Sequence, residues 1–252
     1  MAEDIIQEVA KKIINAKNIT ALTGAGISAE SGMPPFRGKG GIWEKFDPME
    51  YAHIDAFMHN PAKVWNVLLK EMKVNIDNAK PNYGHYGLAA LEKMGKLKTV
   101  ITQNVDGLHQ LAGNTDVIEL HGNFVWYSCL YCDFRCEIKN IDLNKIPPKC
   151  KCGGILRPEC VFFGEAVPME GLLRANFTAS KCDIMFVIGT SAVVYPAATI
   201  PIIAKESGAK IIEINPEKTP LTHNISHYFI KGKAGEVMNK IMTELQSQSI
   251  FE

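Results

Sequence analysis

Short apolar runs alternate with longer amphipathic segments along most of the chain. Apolar residues at helical spacing predict helices over residues 4–17, 62–75, 83–94, 196–207 and 235–247. β-Branched and apolar runs bounded by glycine or polar residues predict strands over residues 19–23, 97–102, 117–120, 183–188, 210–214 and 228–231. Helices and strands that alternate in this way predict an α/β fold with a parallel, Rossmann-like sheet.

The first predicted strand runs into a glycine turn. Residues 19–23 are followed by Gly24-Ala25-Gly26, where backbone N–H groups can approach a pyrophosphate closely. Residues 27–31 then open a predicted helix, whose positive N-terminal end faces the same anion. Gly24, Gly26 and Ala29 fit the loose fingerprint G-x-G-x-x-G/A of dinucleotide-binding proteins. The alternative interpretation is a plain glycine turn.

The segment after this turn is predicted to be a mobile loop. Residues 33–43 contain prolines and several glycines, a composition that suits neither a helix nor a strand. A loop that closes over a cofactor and an exposed linker are both compatible with this composition. Phe36, Arg37 and Trp43 favour the loop over a cofactor, because large side chains of this kind are seldom exposed without a binding role.

Four cysteines form two tight pairs in the middle of the chain. Cys129 and Cys132 are followed by Cys150 and Cys152, with a stretch the length of a zinc ribbon's hairpin between the pairs. Four thiolates with no open position predict one structural Zn²⁺ per chain; reduced structural thiols are the alternative. Cys136 could in principle replace a ligand. Cys160 and Cys182 adjoin strand sequences and are predicted to be core residues.

These patterns divide the chain into two unequal lobes. A discontinuous Rossmann-like domain is predicted over residues 1–35, 82–122 and 155–252. The smaller lobe combines a helical insertion that carries the cofactor loop, residues 36–81, with the zinc ribbon, residues 123–154.

Composition narrows the function classes. The 252 residues suffice for one core with a smaller module. The 27 basic and 27 acidic side chains cancel, so we expect no direct nucleic-acid binding. The start MAEDIIQEVAKK lacks the pattern of a targeting segment, and no apolar run approaches membrane length. We therefore expect a cytoplasmic protein without a membrane partner.

Polar clusters stand at the ends of further predicted strands. They read TQNVDGLH at 102–109, ELHG at 119–122, FGE at 163–165 and GTS at 189–191. Together with GAGIS at 24–28, these clusters resemble the sirtuin family of NAD-dependent protein lysine deacylases. The resemblance extends from residue 21 to about residue 237, with the motifs in the family's order.

The resemblance implies a reaction and its principal residues. An acyl-lysine protein or peptide, NAD and one water would give free lysine, nicotinamide and O-acyl-ADP-ribose. His121 precedes a glycine in register with the family's His-Gly and is the expected general base. Asn104 is expected to orient a ribose hydroxyl or a water, Gln103 to bond a ribose hydroxyl, and Asp106 to accept a hydrogen bond from the nicotinamide amide. The alternative is that Asn104 and Asp106 only form a turn.

The remaining expected contacts also follow from the resemblance. The acyl-lysine peptide is expected as an added strand between residues 161–164 and 192–195. Asn215 and Glu217 are expected to take ribose hydroxyls at the adenosine end. The expected NAD-binding residues are Gly24, Ala25, Gly26, Glu30, Phe36, Arg37, Gln103, Asn104, Asp106, Gly189, Thr190, Ser191, Asn215, Glu217 and Ala234. The expected peptide-binding residues are Phe36, Val161, Phe163, Gly164 and Val193.

The chain departs from the family's pattern at three points. Pro35 replaces an acidic or small polar residue, and the second cysteine pair is C-x-C where the family more often has C-x-x-C. Leu68 and Glu71 occupy the positions of the Tyr-x-x-Arg pair on which desuccinylases rely. Without that pair we expect a deacetylase that also accepts longer neutral acyl groups and has little desuccinylase activity. Mono-ADP-ribosyl transfer and a non-catalytic NAD or ADP-ribose sensor are the alternative functions.

Overall fold

The computed structural model describes residues 2–37 and 40–249; the expected loop residues Gly38 and Lys39 and the outermost termini lie outside them. The strands are β1 Ile19–Thr23, β2 Leu97–Thr102, β3 Val117–Glu119, β4 Gly122–Cys129, β5 Arg135–Glu137, β6 Leu156–Cys160, β7 Ile184–Ile188, β8 Lys210–Asn215 and β9 Tyr228–Lys231. The α-helices are α1 Ala2–Asn15, α2 Ile42–Lys45, α3 Pro48–Tyr51, α4 Ile54–His59, α5 Pro61–Val64, α6 Lys70–Asn78, α7 Tyr83–Lys93, α8 Leu108–Ala112, α9 Met169–Lys181, α10 Ile200–Glu206, α11 Leu221–Asn224 and α12 Ala234–Ser249.

Six strands form one parallel sheet in the order β3-β2-β1-β7-β8-β9. This is the Rossmann strand order, and the predicted fold class is confirmed. The order reverses between β1 and β7, where Thr23 pairs with Ile188 at the carboxyl ends. Ligands of such sheets bind at this switch point.

Helices cover both faces of the sheet because its strands are apolar on both sides. On one face α1, α7 and α12 pack over residues such as Ile19 and Ile212. On the other face α9 and α10 pack over residues such as Leu22 and Ile211. None of the helices in the described part of the chain is long and apolar enough to cross a membrane.

The smaller lobe joins the helical insertion to an antiparallel sheet of order β5-β4-β6. One hydrophobic cluster serves both parts. In it, Trp65 stacks 5.6 Å from Tyr127 between ring centroids, and its indole N–H donates to the Leu156 carbonyl at 3.1 Å. The domain bounds given above stay a prediction; the packing makes the insertion and the ribbon one unit.

Two predicted helices differ from the structure. The segment Ala25–Ser31 is a 3-10 helix that ends at Gly32, whose φ is 84°. The predicted helix over 62–75 is interrupted by a π-helical turn, Trp65–Leu69, between α5 and α6. The wider turn shifts the helical register, so that Trp65, Leu68 and Leu69 are all buried.

Candidate functional site

A cavity of about 810 Å³ lies at the carboxyl ends of the parallel strands and extends under the smaller lobe. Most of the expected NAD and peptide contacts line it. Those residues are Gly24, Ala25, Gly26, Glu30, Phe36, Arg37, Gln103, Asn104, His121, Val161, Phe163, Gly164, Gly189, Thr190, Ser191, Val193, Asn215 and Glu217. Asp106 and Ala234 are not part of the lining; both are buried.

The glycines at the switch point bring two backbone turns into contact. A Cβ atom on Gly26 would lie 2.7 Å from the Gly189 Cα, and Gly189 itself has a φ of 62°. The N–H of Gly24 donates to the Ile188 carbonyl at 3.0 Å, and that of Gly26 to the Gly189 carbonyl at 2.8 Å. The sequence predicts that backbone N–H groups of this turn approach a pyrophosphate. In the structure the N–H groups of Gly24 and Gly26 instead connect the end of β1 to the end of β7.

His121 is held in one tautomer at the cavity wall. Its Nδ1 lies 3.0 Å from the Gln103 carbonyl oxygen. Because a carbonyl only accepts, Nδ1 carries the hydrogen and Nε2 keeps its lone pair in the neutral ring. Burial lowers the pKa of His121 below 6.5, which favours that neutral form. The next residue must be glycine, since a Cβ on Gly122 would lie 1.9 Å from the Glu159 oxygen.

Ser28 links the two polar residues expected after β2. Its hydroxyl donates to Asp106 Oδ2 at 2.7 Å, and the Asn104 Nδ2 amide donates to Ser28 Oγ at 3.1 Å. Asp106 also accepts the Leu108 N–H at 3.0 Å, and burial raises its pKa. Ser28 ends the GAGIS motif but was not among the predicted site residues; its place in that motif was the signal that could have found it.

Two buried histidines lie behind this network, with ring centroids 4.9 Å apart. His85 Nε2 lies 3.4 Å from Ser28 Oγ, and His109 Nε2 lies 2.9 Å from Thr23 Oγ1. Burial lowers the pKa of His85 to about 3 and that of His109 to about 4, so both rings are neutral. The Nδ1 of His85 also accepts from the N–H of Asn82 as part of a helix cap.

Polar groups at the ends of β2, β7 and β8 line another part of the cavity. The Gln103 amide donates to Thr190 Oγ1 at 2.9 Å, and the Asn215 amide donates to the Thr190 carbonyl at 2.9 Å. Glu217 is exposed at the rim. Glu30 is engaged elsewhere, because it accepts the Gly235 N–H at 2.6 Å near the start of α12.

A buried carboxylate fixes the loop at this end. Glu213 is 1% exposed. It accepts hydroxyl bonds from Thr219 at 2.6 Å, Thr222 at 3.0 Å and Ser226 at 2.6 Å. The chain from 216 to 220 lines the cavity, so Glu213 anchors that wall from behind. This role was not predictable from the sequence, because a glutamate within a strand usually faces solvent.

Aromatic residues cover the mouth of the cavity. Phe36 stacks on Trp43 at 5.4 Å between ring centroids, and Trp43 lies 6.0 Å from Phe163. The backbone N–H of Trp43 donates to the Phe36 carbonyl at 3.1 Å. Arg37 is exposed beside them.

Part of the cavity lining is apolar and belongs to the hydrophobic cluster of the smaller lobe. This part, called the apolar branch below, consists of Leu68, Leu69, Met72, Phe124 and Cys160. Burial raises the pKa of the Cys160 thiol to about 12, so this cysteine is not a nucleophile. Glu71 is absent from the lining and instead lies 3.4 Å from Lys45.

The expected peptide-binding edge is partly occupied by the protein itself. Phe163 donates its N–H to Ala52 and accepts the Ile54 N–H through its carbonyl. Val161 donates its N–H to the His121 carbonyl at 2.8 Å. An added strand at 161–164 therefore has to use the remaining main-chain groups of this segment.

The four predicted cysteines converge in the ribbon. The Sγ atoms of Cys129, Cys132, Cys150 and Cys152 all lie within 4.8 Å of one another. The Cys129–Cys152 pair is 3.5 Å apart and the Cys132–Cys150 pair 3.8 Å. Four ligands at the usual Zn–S distance of about 2.3 Å stand about 3.8 Å apart, so the group fits a tetrahedral Zn²⁺. Cys136 is not part of the group.

Comparison with known proteins identifies the family. The Sir2 family model matches residues 24–196. The NAD-dependent protein deacylase of Pyrococcus abyssi is 48% identical over 96% of this chain and 98% of its own. Deacylase 1 of Archaeoglobus fulgidus is 47% identical over 95% and 98%. A solved Sir2 homologue in complex with NAD has a TM-score of 0.88 at 46% identity, covering 96% of this chain and 94% of its own. The chain belongs to the Sir2 family.

Proposed function

We propose that this chain removes acyl groups from protein lysines with NAD as co-substrate. The observation that carries the proposal is His121, whose Nε2 lone pair stands at a cavity on the switch point of a Rossmann-like sheet. Relatives named NAD-dependent protein deacylase and Sir2 structures solved with NAD or with ADP-ribose support it. The acyl group passes to ADP-ribose and one water is consumed, so the products are nicotinamide, free lysine and O-acyl-ADP-ribose.

Residues around His121 would position the nicotinamide ribose. His121 Nε2 accepts a proton from the ribose hydroxyls, and the Gln103 carbonyl stabilises the imidazolium through Nδ1–H. Asn104 is held by Ser28 and presents its amide to the cavity. Asp106 acts on Asn104 through the Ser28 hydroxyl, rather than at the cavity surface where sequence reasoning placed it.

The other expected contacts complete the proposed site. Thr190, Ser191, Asn215 and Glu217 take the phosphates and the adenosine ribose, and Phe36 covers the lysine stem. A Sir2 structure containing a p53 peptide and NAD supports peptide substrates for this chain. We also propose that acetyl and longer neutral acyl groups are accepted, because the inner branch is apolar at Leu68 and Met72.

The remaining parts of the proposal concern the metal and the compartment. Cys129, Cys132, Cys150 and Cys152 would hold one Zn²⁺ that stabilises the ribbon. Thiolate ligands need a reducing compartment, which supports a cytoplasmic location. The balance of 27 basic and 27 acidic residues supports the expectation of no nucleic-acid partner.

Mass spectrometry tests the reaction. The protein is incubated with NAD and an acetyl-lysine peptide, and the wild type should release deacetylated peptide, nicotinamide and O-acetyl-ADP-ribose in equal amounts. A His121→Ala variant should release them about two to four orders of magnitude more slowly. Transfer of ADP-ribose to the peptide would favour the ADP-ribosyltransferase alternative, and NAD binding without any product would favour the sensor.

A further inference from the structure

An apolar stripe runs along the solvent side of α9. Met169, Leu173 and Phe177 follow one another at intervals of four residues and therefore share a face. They are 67%, 62% and 64% exposed. The core-facing side of the same helix is buried through Ala175 and Ala179. A surface helix normally carries polar residues on its outer side, so packing within the chain does not account for the stripe.

The stripe begins at the mouth of the cavity. Val167, two residues before Met169, lines the cavity together with Val193 and Tyr195. Val193 and Tyr195 are themselves 48% and 72% exposed. Phe177 lies about 12 Å beyond Met169 along the helix, from a rise of about 1.5 Å per residue. An apolar path thus leads from the proposed peptide cleft down the outside of α9.

The size of the stripe distinguishes between two occupants. Three side chains exposed by about two thirds offer on the order of 400 Å². A stable dimer interface buries about 800 Å² on each partner, so a second copy would be held weakly by the stripe alone. A ligand already attached at the cleft needs far less, because its second contact forms within the same complex.

We propose that residues 169–177 form a docking surface for the substrate polypeptide. The occupant is an amphipathic helical segment beside the acyl-lysine, which lays its apolar side chains on Met169, Leu173 and Phe177. The proposal rests on the proposed function, since the acyl-lysine in the cleft supplies the first attachment. This docking surface would make the enzyme selective for substrate residues that lie farther along the polypeptide than the immediate neighbours of the acyl-lysine.

Steady-state kinetics with matched peptides test the docking surface. One acetyl-lysine peptide is short; two others carry an added amphipathic helix of about fifteen residues with leucines on one face, before or after the lysine. One of the extended peptides should have a KM about tenfold below that of the short peptide. A version of it with serines for leucines should lose this advantage.

Matched variants locate the effect. Leu173→Ser combined with Phe177→Ser should abolish the advantage of the extended peptide and leave kcat and KM for the short peptide unchanged. Val74→Ser removes an apolar side chain that is 53% exposed on α6, and should change neither. Equal KM values for all peptides, or an advantage that survives the double substitution, would overturn the proposal. So would a wild-type dimer in sedimentation that becomes monomeric in the double variant.

Direct binding separates this proposal from the proposed function. If the short peptide is not turned over at all, the deacylase proposal fails. Docking is then measured by the fluorescence anisotropy of the labelled extended peptide. The titration is made with the wild-type protein and with the variant that combines Leu173→Ser and Phe177→Ser. Binding that is equal in the two proteins would refute the docking surface.

Discussion

His121 Nδ1 and the Gln103 carbonyl oxygen are 3.0 Å apart, which fixes the proton of the neutral imidazole on Nδ1. The Nε2 atom of this cavity-lining residue therefore keeps its lone pair before any ligand binds. Because Gln103 also donates its side-chain amide to Thr190, one residue connects His121, after β3, to the turn after β7.

We predict that His121→Ala lowers kcat by about two to four orders of magnitude, the usual contribution of a general base. NAD binding, measured by calorimetry, should persist. The base must be neutral, and burial puts its pKa below 6.5, so activity should fall only when the pH drops below 6.5. An acidic limb of kcat/KM centred above pH 7 would contradict this assignment.

The pair His85 and His109 should dominate acid unfolding. Their pKa values in the folded protein, about 3 and about 4, lie below the ordinary 6.5, so unfolding takes up protons. Their stabilising contribution is complete above pH 6.5 and is lost as the pH falls toward these values. Each should contribute a slope of about 1.4 kcal/mol per pH unit between pH 6 and pH 4.

Urea unfolding at several pH values measures this slope. His85→Gln should reduce the slope by the equivalent of about one bound proton. His223→Gln, at an exposed position, should leave the slope unchanged. If His85→Gln and His223→Gln have the same slope as the wild type, the folded-state protonation of His85 is not as described.

Zinc removal should inactivate the protein indirectly. A strong chelator, or Cys152→Ala, should release one Zn²⁺ per chain and unfold the ribbon, because the binding free energy of a structural zinc contributes directly to folding. Elemental analysis and circular dichroism measure the loss. Cys182→Ala, away from the metal group, should retain the ion. Full activity in metal-free protein would refute the structural role.

Acyl selectivity should follow the apolar branch. Specificity constants should be measured for acetyl-, succinyl- and myristoyl-lysine versions of one peptide. The succinyl peptide should have the lowest value, because Leu68 offers the succinyl carboxylate no hydrogen-bond partner. Leu68→Tyr with Glu71→Arg should raise the succinyl rate only if residue 71 turns away from Lys45 into the cavity. Succinyl-lysine equal to acetyl-lysine in the wild type would contradict the prediction.

Glu213 should matter for NAD affinity rather than for the chemical step. Thr222→Val removes one of its three hydroxyl donors and should raise KM for NAD about fivefold, because a lost bond to a charged group is worth about 1 kcal/mol or more. Thr222→Ser keeps the donor and should behave as wild type. If Thr222→Val raised KM equally for NAD and for the peptide, the substitution would instead have destabilised the whole site.

The sheet was predictable because each strand carries its own local pattern, and the strand-end motifs locate the cavity. The partners of buried polar groups were not predictable. Ser28 meets Asp106 across 78 residues of sequence, and Glu213 meets hydroxyls on a loop that reads as solvent-exposed. The π-helical turn was also missed, because one extra residue per turn hardly alters the apolar spacing of a short helix.

The hydrogen bond from the Trp65 indole to the Leu156 carbonyl joins the π-helical turn to the strand that follows the metal group. Leu68 belongs to the same turn and lines the cavity, so we expect a ligand that contacts Leu68 to stabilise the ribbon as well. Coupling of this kind is reciprocal. Long-chain acyl peptides should therefore slow the release of zinc from the protein more than acetylated peptides do.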